Sequence, residues 1–176
     1  MRWLLPLLLL AACSSPPRTS FYTLDAPEPP VAAEGAPAIA VGPVSVPEIV
    51  DRPQIVVRLG ANQVQIAEQA RWAEPLRIAI ARVVAANLAS TLGARVVTGR
   101  NGDADYRIAL DVQRFESPAD AVLIEAQWTV SGKGNRHSGR SVAREKIAGK
   151  EYSALAAAHS AALATISREI AAAIKP

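Results

Sequence analysis

Tyr106-Arg107-Ile108-Ala109-Leu110-Asp111-Val112-Gln113 and Val122-Leu123-Ile124-Glu125-Ala126-Gln127-Trp128-Thr129-Val130 are the two stretches that decide the fold class. In the first, Tyr106, Ile108, Leu110 and Val112 alternate with Arg107, Asp111 and Gln113. In the second, Val122, Ile124, Ala126, Trp128 and Val130 alternate in the same way. A period of two places the apolar set on one face of an extended chain and the other set toward water. Only residues 116–119 separate the runs, so they are expected to pair antiparallel. Residues 131–138 form a Gly/Lys/Asn turn, and residues 140–147 are the expected third member of this meander.

Two helices flank these strands. Trp72, Leu76, Ile80, Val83, Asn87 and Leu88 recur at helical spacing, with Arg77, Arg82 and Ala89 turned away. Pro75 suits an early helical position, where its missing N–H is not needed, and Gly93 suits the stop. A second helix is predicted over residues 153–174 with Ser153 as N-cap. Its stripe is Tyr152, Leu155, His159, Leu163, Ile166, Ile170 and Ile174, and the alanines around it permit a close approach to a sheet.

Shorter runs fill the first half. Residues 21–24 are strand-like. Residues 38–46 read as a strand with Ile39, Val41 and Val46 inward, and Pro43 points to an edge or a bulge. Residues 54–58 and 63–67 are two more strands, joined by the turn Gly60-Ala61-Asn62. Residues 95–97 are a further short strand before a Gly/Asn/Asp turn at 100–104. The expected architecture is an α/β (α+β) two-layer sandwich, with a mostly antiparallel sheet and two long helices packed on one face.

The amino terminus sets the compartment. Arg2 is followed by an apolar run from Trp3 to Ala12, broken only by Pro6. That run is too short to span a membrane, which takes roughly 20 residues, and has the form of a secretory signal. Leu10-Ala11-Ala12-Cys13 has the form of a lipobox. Cleavage before Cys13 and acylation of Cys13 are therefore expected, with acyl chains of the palmitate type. One acyl chain binds a membrane reversibly, whereas two or three hold. Ser14 in place of aspartate favours release to the outer membrane, facing the periplasm.

Loss of residues 1–12 leaves 164 of the 176, with 18 Lys+Arg against 16 Asp+Glu, a formal +2. That length suits one domain, and the charge is too mild to argue for nucleic acid. Residues 13–37 are read as the lipidated cysteine, a tether, a short first strand and a Pro-rich connector. Residues 38–176 are read as a single domain. Cys13 is the only cysteine, so no thiol is left for a disulfide.

Catalytic chemistry finds little support. His137 reads as a solvated residue in a polar turn, and His159 as a core or interface residue on the last helix. Two histidines without a second cysteine give no zinc spacing, and no nucleophile elbow or phosphate-cradling loop is present. No metal and no cofactor are expected beyond the covalent lipid on Cys13. The segment that stands out is Val46-Pro47-Glu48-Ile49-Val50-Asp51-Arg52-Pro53-Gln54-Ile55-Val56, with its echo Arg71-Trp72-Ala73-Glu74-Pro75-Leu76. Asp51, Arg52, Pro53 and Gln54 are candidate contacts to a partner or a second subunit; equally, Arg52 and Glu74 could serve only to hold the loop.

Phe21-Tyr22-Thr23-Leu24, Val41-Gly42-Pro43-Val44, Asp51-Arg52-Pro53-Gln54-Ile55-Val56 and Arg71-Trp72-Ala73-Glu74-Pro75-Leu76, in this order, resemble the ABC-type transport auxiliary lipoproteins. These are the PqiC-like components of paraquat-inducible, MCE-type transport systems. The resemblance implies a non-catalytic subunit of a lipid transport system that supports membrane integrity. It implies partners as well: an MCE-domain tunnel protein, its inner-membrane permease, and further copies of the chain in a homo-oligomeric ring. The competing readings are a lipoprotein activator of an envelope enzyme, such as a cell-wall synthase, and a lipid-modifying enzyme.

Overall fold

The structure is a computed structural model that describes residues 18–28, 31–97 and 104–174. The expected signal segment, Cys13, Ser14, the tether to residue 17, Pro29, Pro30 and most of the turn at 100–104 lie outside the described residues. Among those residues the chain is α+β, in two layers, with two helices laid against a sheet.

The meander forms as its alternation requires. β6 (Tyr106–Glu116), β7 (Ala121–Gly132) and β8 (Asn135–Lys146) are antiparallel, with Ile108 opposite Val130 and Val112 opposite Ala126. A register shift between Val112 and Arg114 then breaks the period, so that Phe115 and not Arg114 turns into the core. The turn after β7 is tighter than residues 131–138. It is the pair Lys133-Gly134, both at positive φ, as a two-residue hairpin of the right twist demands. His137 therefore lies on β8 rather than in the turn, and it is exposed there.

β2 (Ala38–Ser45) runs parallel to β6 on one side and to the two-residue β5 (Arg95–Val96) on the other. This completes a five-stranded sheet ordered β5-β2-β6-β7-β8. Ile39 is buried as expected, together with Ala38 and Ala40; Val41 is only half-buried, and so is Val46, which lies beyond the strand. The reason is Pro43. It sits in a register shift between Val41 and Val44, past the point where the described part of β5 ends.

A second, three-stranded sheet takes the remaining strands in the order β1-β4-β3, with β1 (Ser20–Tyr22) parallel to β4 (Gln63–Trp72) and β3 (Gln54–Gly60) antiparallel to it. β4 is longer than residues 63–67. Its last residues are paired on both sides, Arg71 with Phe21 and with Gln54. Trp72 is thus the end of a strand, not the first residue of the helical stripe, although it is core as its apolar neighbours suggest, at 6% exposure.

α1 (Leu76–Leu92) begins after Pro75, which occupies the capping position, and ends at Gly93 in the left-handed region (φ 63°). Ala94 donates to the Ala89 carbonyl at 3.1 Å, closing the last turn. Ala89 is buried, contrary to its expected place, because α1 is covered by the last helix as well as by β2. Asn87 is buried too and donates to the Val83 carbonyl at 3.0 Å. α2 (Tyr152–Ile174) starts one residue earlier than expected. The amides of Ala154 and Leu155 bond the Glu151 carbonyl, so Ser153 is inside the helix and does not cap it. Leu155, His159, Leu163, Ile166 and Ile170 are buried, with Ala156, Ala158, Ala162 and Ala171 beside them, and α2 as a whole lies against β7, β8 and α1.

One aromatic cluster joins the parts. His159 of α2 stacks on Phe115 of β6, with ring centroids 4.0 Å apart and planes 5° apart. Trp72 of β4 meets both rings edge-on, with centroids 6.2 Å away. Arg58 of β3 adds a polar link, its Nη2 lying 2.7 Å from Glu116 Oε1.

Candidate functional site

The two proline-bearing motifs, about twenty residues apart in sequence, meet in space. The Trp72 amide donates to the Pro53 carbonyl at 2.7 Å, and the Ala73 amide to the Tyr22 carbonyl at 2.8 Å. Before that clamp, residues 48–50 make a single 3₁₀ turn, and the Arg52 amide donates to the Val50 carbonyl at 2.9 Å. Pro47, Pro53 and Pro75 each fix one backbone angle. The result is a rigid pocket of about 280 Å³ lined by residues 51–53 and 72–76. Pro53, Trp72, Ala73, Pro75 and Leu76 give it apolar walls, and Asp51, Arg52 and Glu74 line it as charged groups.

The charges are not equivalent. Glu74 Oε1 lies 2.7 Å from Arg82 Nη2, which also donates to the Leu24 carbonyl at 2.8 Å and to Thr23 Oγ1 at 3.1 Å. Asp51 Oδ1 lies 3.4 Å from Arg77 Nε. Both arginines project from α1. The two carboxylates are therefore braced, whereas the Arg52 guanidinium is exposed and has no hydrogen bond or ion pair among the described residues. Of the residues expected to form a contact surface, Asp51, Arg52 and Pro53 come together at the pocket. Gln54 instead opens β3 and pairs with Arg71 in the sheet. Glu74 holds the loop region. Arg77 and Arg82, read from spacing only as residues turned away from the core, are what hold Asp51 and Glu74. No local signal marks them, since their partners lie 26 and 8 residues away in sequence.

Elsewhere, Ser117 Oγ lies 3.1 Å from His159 Nε2, but each residue is only 1% exposed and His159 Nδ1 has no partner among the described residues. Burial pushes the His159 ring down to about 3, so it is neutral near pH 7. This is a core contact of the expected kind. Burial by itself would raise Glu116, but hydrogen bonds from Arg114 and Arg58 outweigh it and hold the carboxyl below its usual value. A larger groove of about 910 Å³ runs between Ile78 and Ala81 of α1, Val41 and Pro43 of β2, and Pro27 of the connector. No group of three or more His, Cys, Asp or Glu side chains that could hold a metal occurs among the described residues. No helix among them is long and apolar enough to cross a membrane.

Solved structures share this fold, two of them as follows. An uncharacterized protein aligns at a TM-score of 0.77 and 23% identity over 90% of this chain and 100% of its own. Protein XCC0632 from Xanthomonas campestris aligns at 0.64 and 25% identity over 86% of this chain and 92% of its own. None of the curated proteins matches the sequence. The family model for the ABC-type transport auxiliary lipoprotein component matches residues 22–171, from the first strand through nearly all of the last helix. With that match over most of its length, the chain belongs to the ABC-type transport auxiliary lipoprotein family, whose description names a transport component and fits a place in the cell envelope.

Proposed function

We propose that this chain is a non-catalytic subunit of an MCE-type lipid transport system, held by acyl chains on Cys13 to the periplasmic face of the outer membrane. There it docks the periplasmic tunnel protein, and it does so as a homo-oligomeric ring. Family membership supports the transport role, and the lipobox ending at Cys13 supports the anchor. The observation that carries the docking reading is Arg52. At a pocket whose two carboxylates are both braced by arginines of α1, it is the charged group left without a partner among the described residues. A planar, permanently charged fork on a stiff loop suits a carboxylate on another chain.

The test is Arg52→Ala. The variant should keep the parental circular dichroism spectrum, because Arg52 holds nothing inside the fold. It should lose ring size in light scattering, or lose co-purification with the tunnel protein. Retention of both assemblies at parental affinity would reduce Arg52 to a solvated surface charge and refute the docking reading.

A further inference from the structure

We infer that the pocket between residues 51–53 and the start of α1 receives an apolar side chain of a protein partner, and that Arg52 pairs with a carboxylate two residues along the same extended segment. The inference rests on the docking role proposed above for this loop and specifies the chemistry of what docks.

The size of the pocket comes first. At about 280 Å³ it lies just below the roughly 300–1,000 Å³ of pockets that take whole small ligands. It suits one side chain. Its walls, Pro53, Trp72, Ala73, Pro75 and Leu76, offer that side chain no hydrogen bond from a side-chain group except at the Trp72 indole, which is itself nearly buried. The guest is therefore apolar.

Charge comes next. A free anion would gain from Arg52 but nothing from the apolar walls, and a purely apolar guest would leave the guanidinium unused. Arg52 and Pro53 both line the pocket, so a cation and an apolar wall belong to the same site. A guest that uses both presents its apolar group and its carboxylate on one face. Residues i and i+2 of an extended segment do this, roughly 7 Å apart. The sign is fixed by the bracing: Asp51 and Glu74 are already neutralised by Arg77 and Arg82, and the remaining charge at the pocket is positive. Rigidity completes the case. The clamp from Trp72 to Pro53 and the fixed prolines mean the site forms before the guest arrives, so little ordering opposes binding.

The test uses the full lipoprotein in detergent micelles and three labelled peptides blocked at both ends. One carries Leu-Ala-Glu, one Leu-Ala-Gln and one Ala-Ala-Glu, each between Gly/Ser flanks. Fluorescence anisotropy should show saturable binding of the first and about tenfold weaker binding of the other two, the range expected when one member of a central contact is removed. Arg52→Gln should erase the preference for Glu over Gln. Ala73→Leu, which fills the pocket from an exposed position, should erase the preference for Leu over Ala. Equal binding of all three peptides, or no binding by any, overturns the inference, as does a preference that survives Arg52→Gln. The Arg52→Ala co-purification separates the two readings. If capture of the tunnel protein needs Arg52 but the peptides do not bind, docking stands and this chemistry falls. If the peptides follow the rule and capture ignores Arg52, this chemistry stands and the docking reading falls.

Discussion

Acidification should destabilise this protein through His159, by an amount the structure allows to be worked out. The imidazole is 1% exposed, stacked on Phe115 and edge-on to Trp72, and burial pushes it from 6.5 to about 3. The folded chain therefore keeps the ring neutral, while the unfolded chain binds a proton below pH 6.5. The contribution to stability is present in full above pH 6.5 and is lost as pH falls, until the folded ring also titrates near 3. Each pH unit inside that window costs about 1.4 kcal/mol, so lowering the pH to 5 should cost about 2 kcal/mol from this residue. Urea unfolding of the parent at pH 7.5 and pH 5 measures the loss, with His159→Gln and His159→Phe as references that cannot titrate. Above pH 5, Glu116 stays ionised, because its folded value lies below the usual carboxylate value. It therefore adds little to any of the three slopes. The parent should lose about 2 kcal/mol more than either variant over this interval. Equal losses in all three proteins would show that the ring reaches its proton in the folded state, and the buried cluster at the joint between the sheets would be wrong.

Three further outcomes follow from single residues. Leu163 is fully buried in α2, so Leu163→Ala should cost about 2–5 kcal/mol in a thermal or urea melt; an unchanged melt would remove that face from the core. Gly139 lies opposite Trp128 on β8, and a Cβ there would press into the indole ring, so Gly139→Ala should cost about 1–3 kcal/mol and shift the tryptophan emission; parental stability with parental emission would contradict that contact. Cys13→Ala should deplete the protein from the outer-membrane fraction, and a variant that stayed with outer-membrane vesicles as fully as the parent would show that the lipid does not hold it.

Period and punctuation made much of this fold readable in the sequence. The alternation over Tyr106–Val112 and across β7 gave a meander, the stripe from Leu155 to Ile170 gave the last helix, and Gly93 marked the end of α1. These features depend on neighbours within a turn or a strand pair, so local pattern suffices. The run from Trp3 to Cys13 is likewise a message carried by consecutive residues. What sequence could not divide was the sheet. Which strands pair side by side across long connections is set by burial of the whole, and so β1 and β4 went to a separate sheet and β2 came to lie parallel to β6. The same cause moved Trp72 from helix to strand, because pairing partners on both sides extend β4 to its last residue. At the candidate site the sequence singled out Asp51, Arg52, Pro53 and Glu74 by residue type. Only the tertiary structure sorted them. Asp51 and Glu74 meet arginines that α1 brings from 26 and 8 residues away, and Arg52 meets none among the described residues, because electrostatic pairing is decided by distance in space and not along the chain.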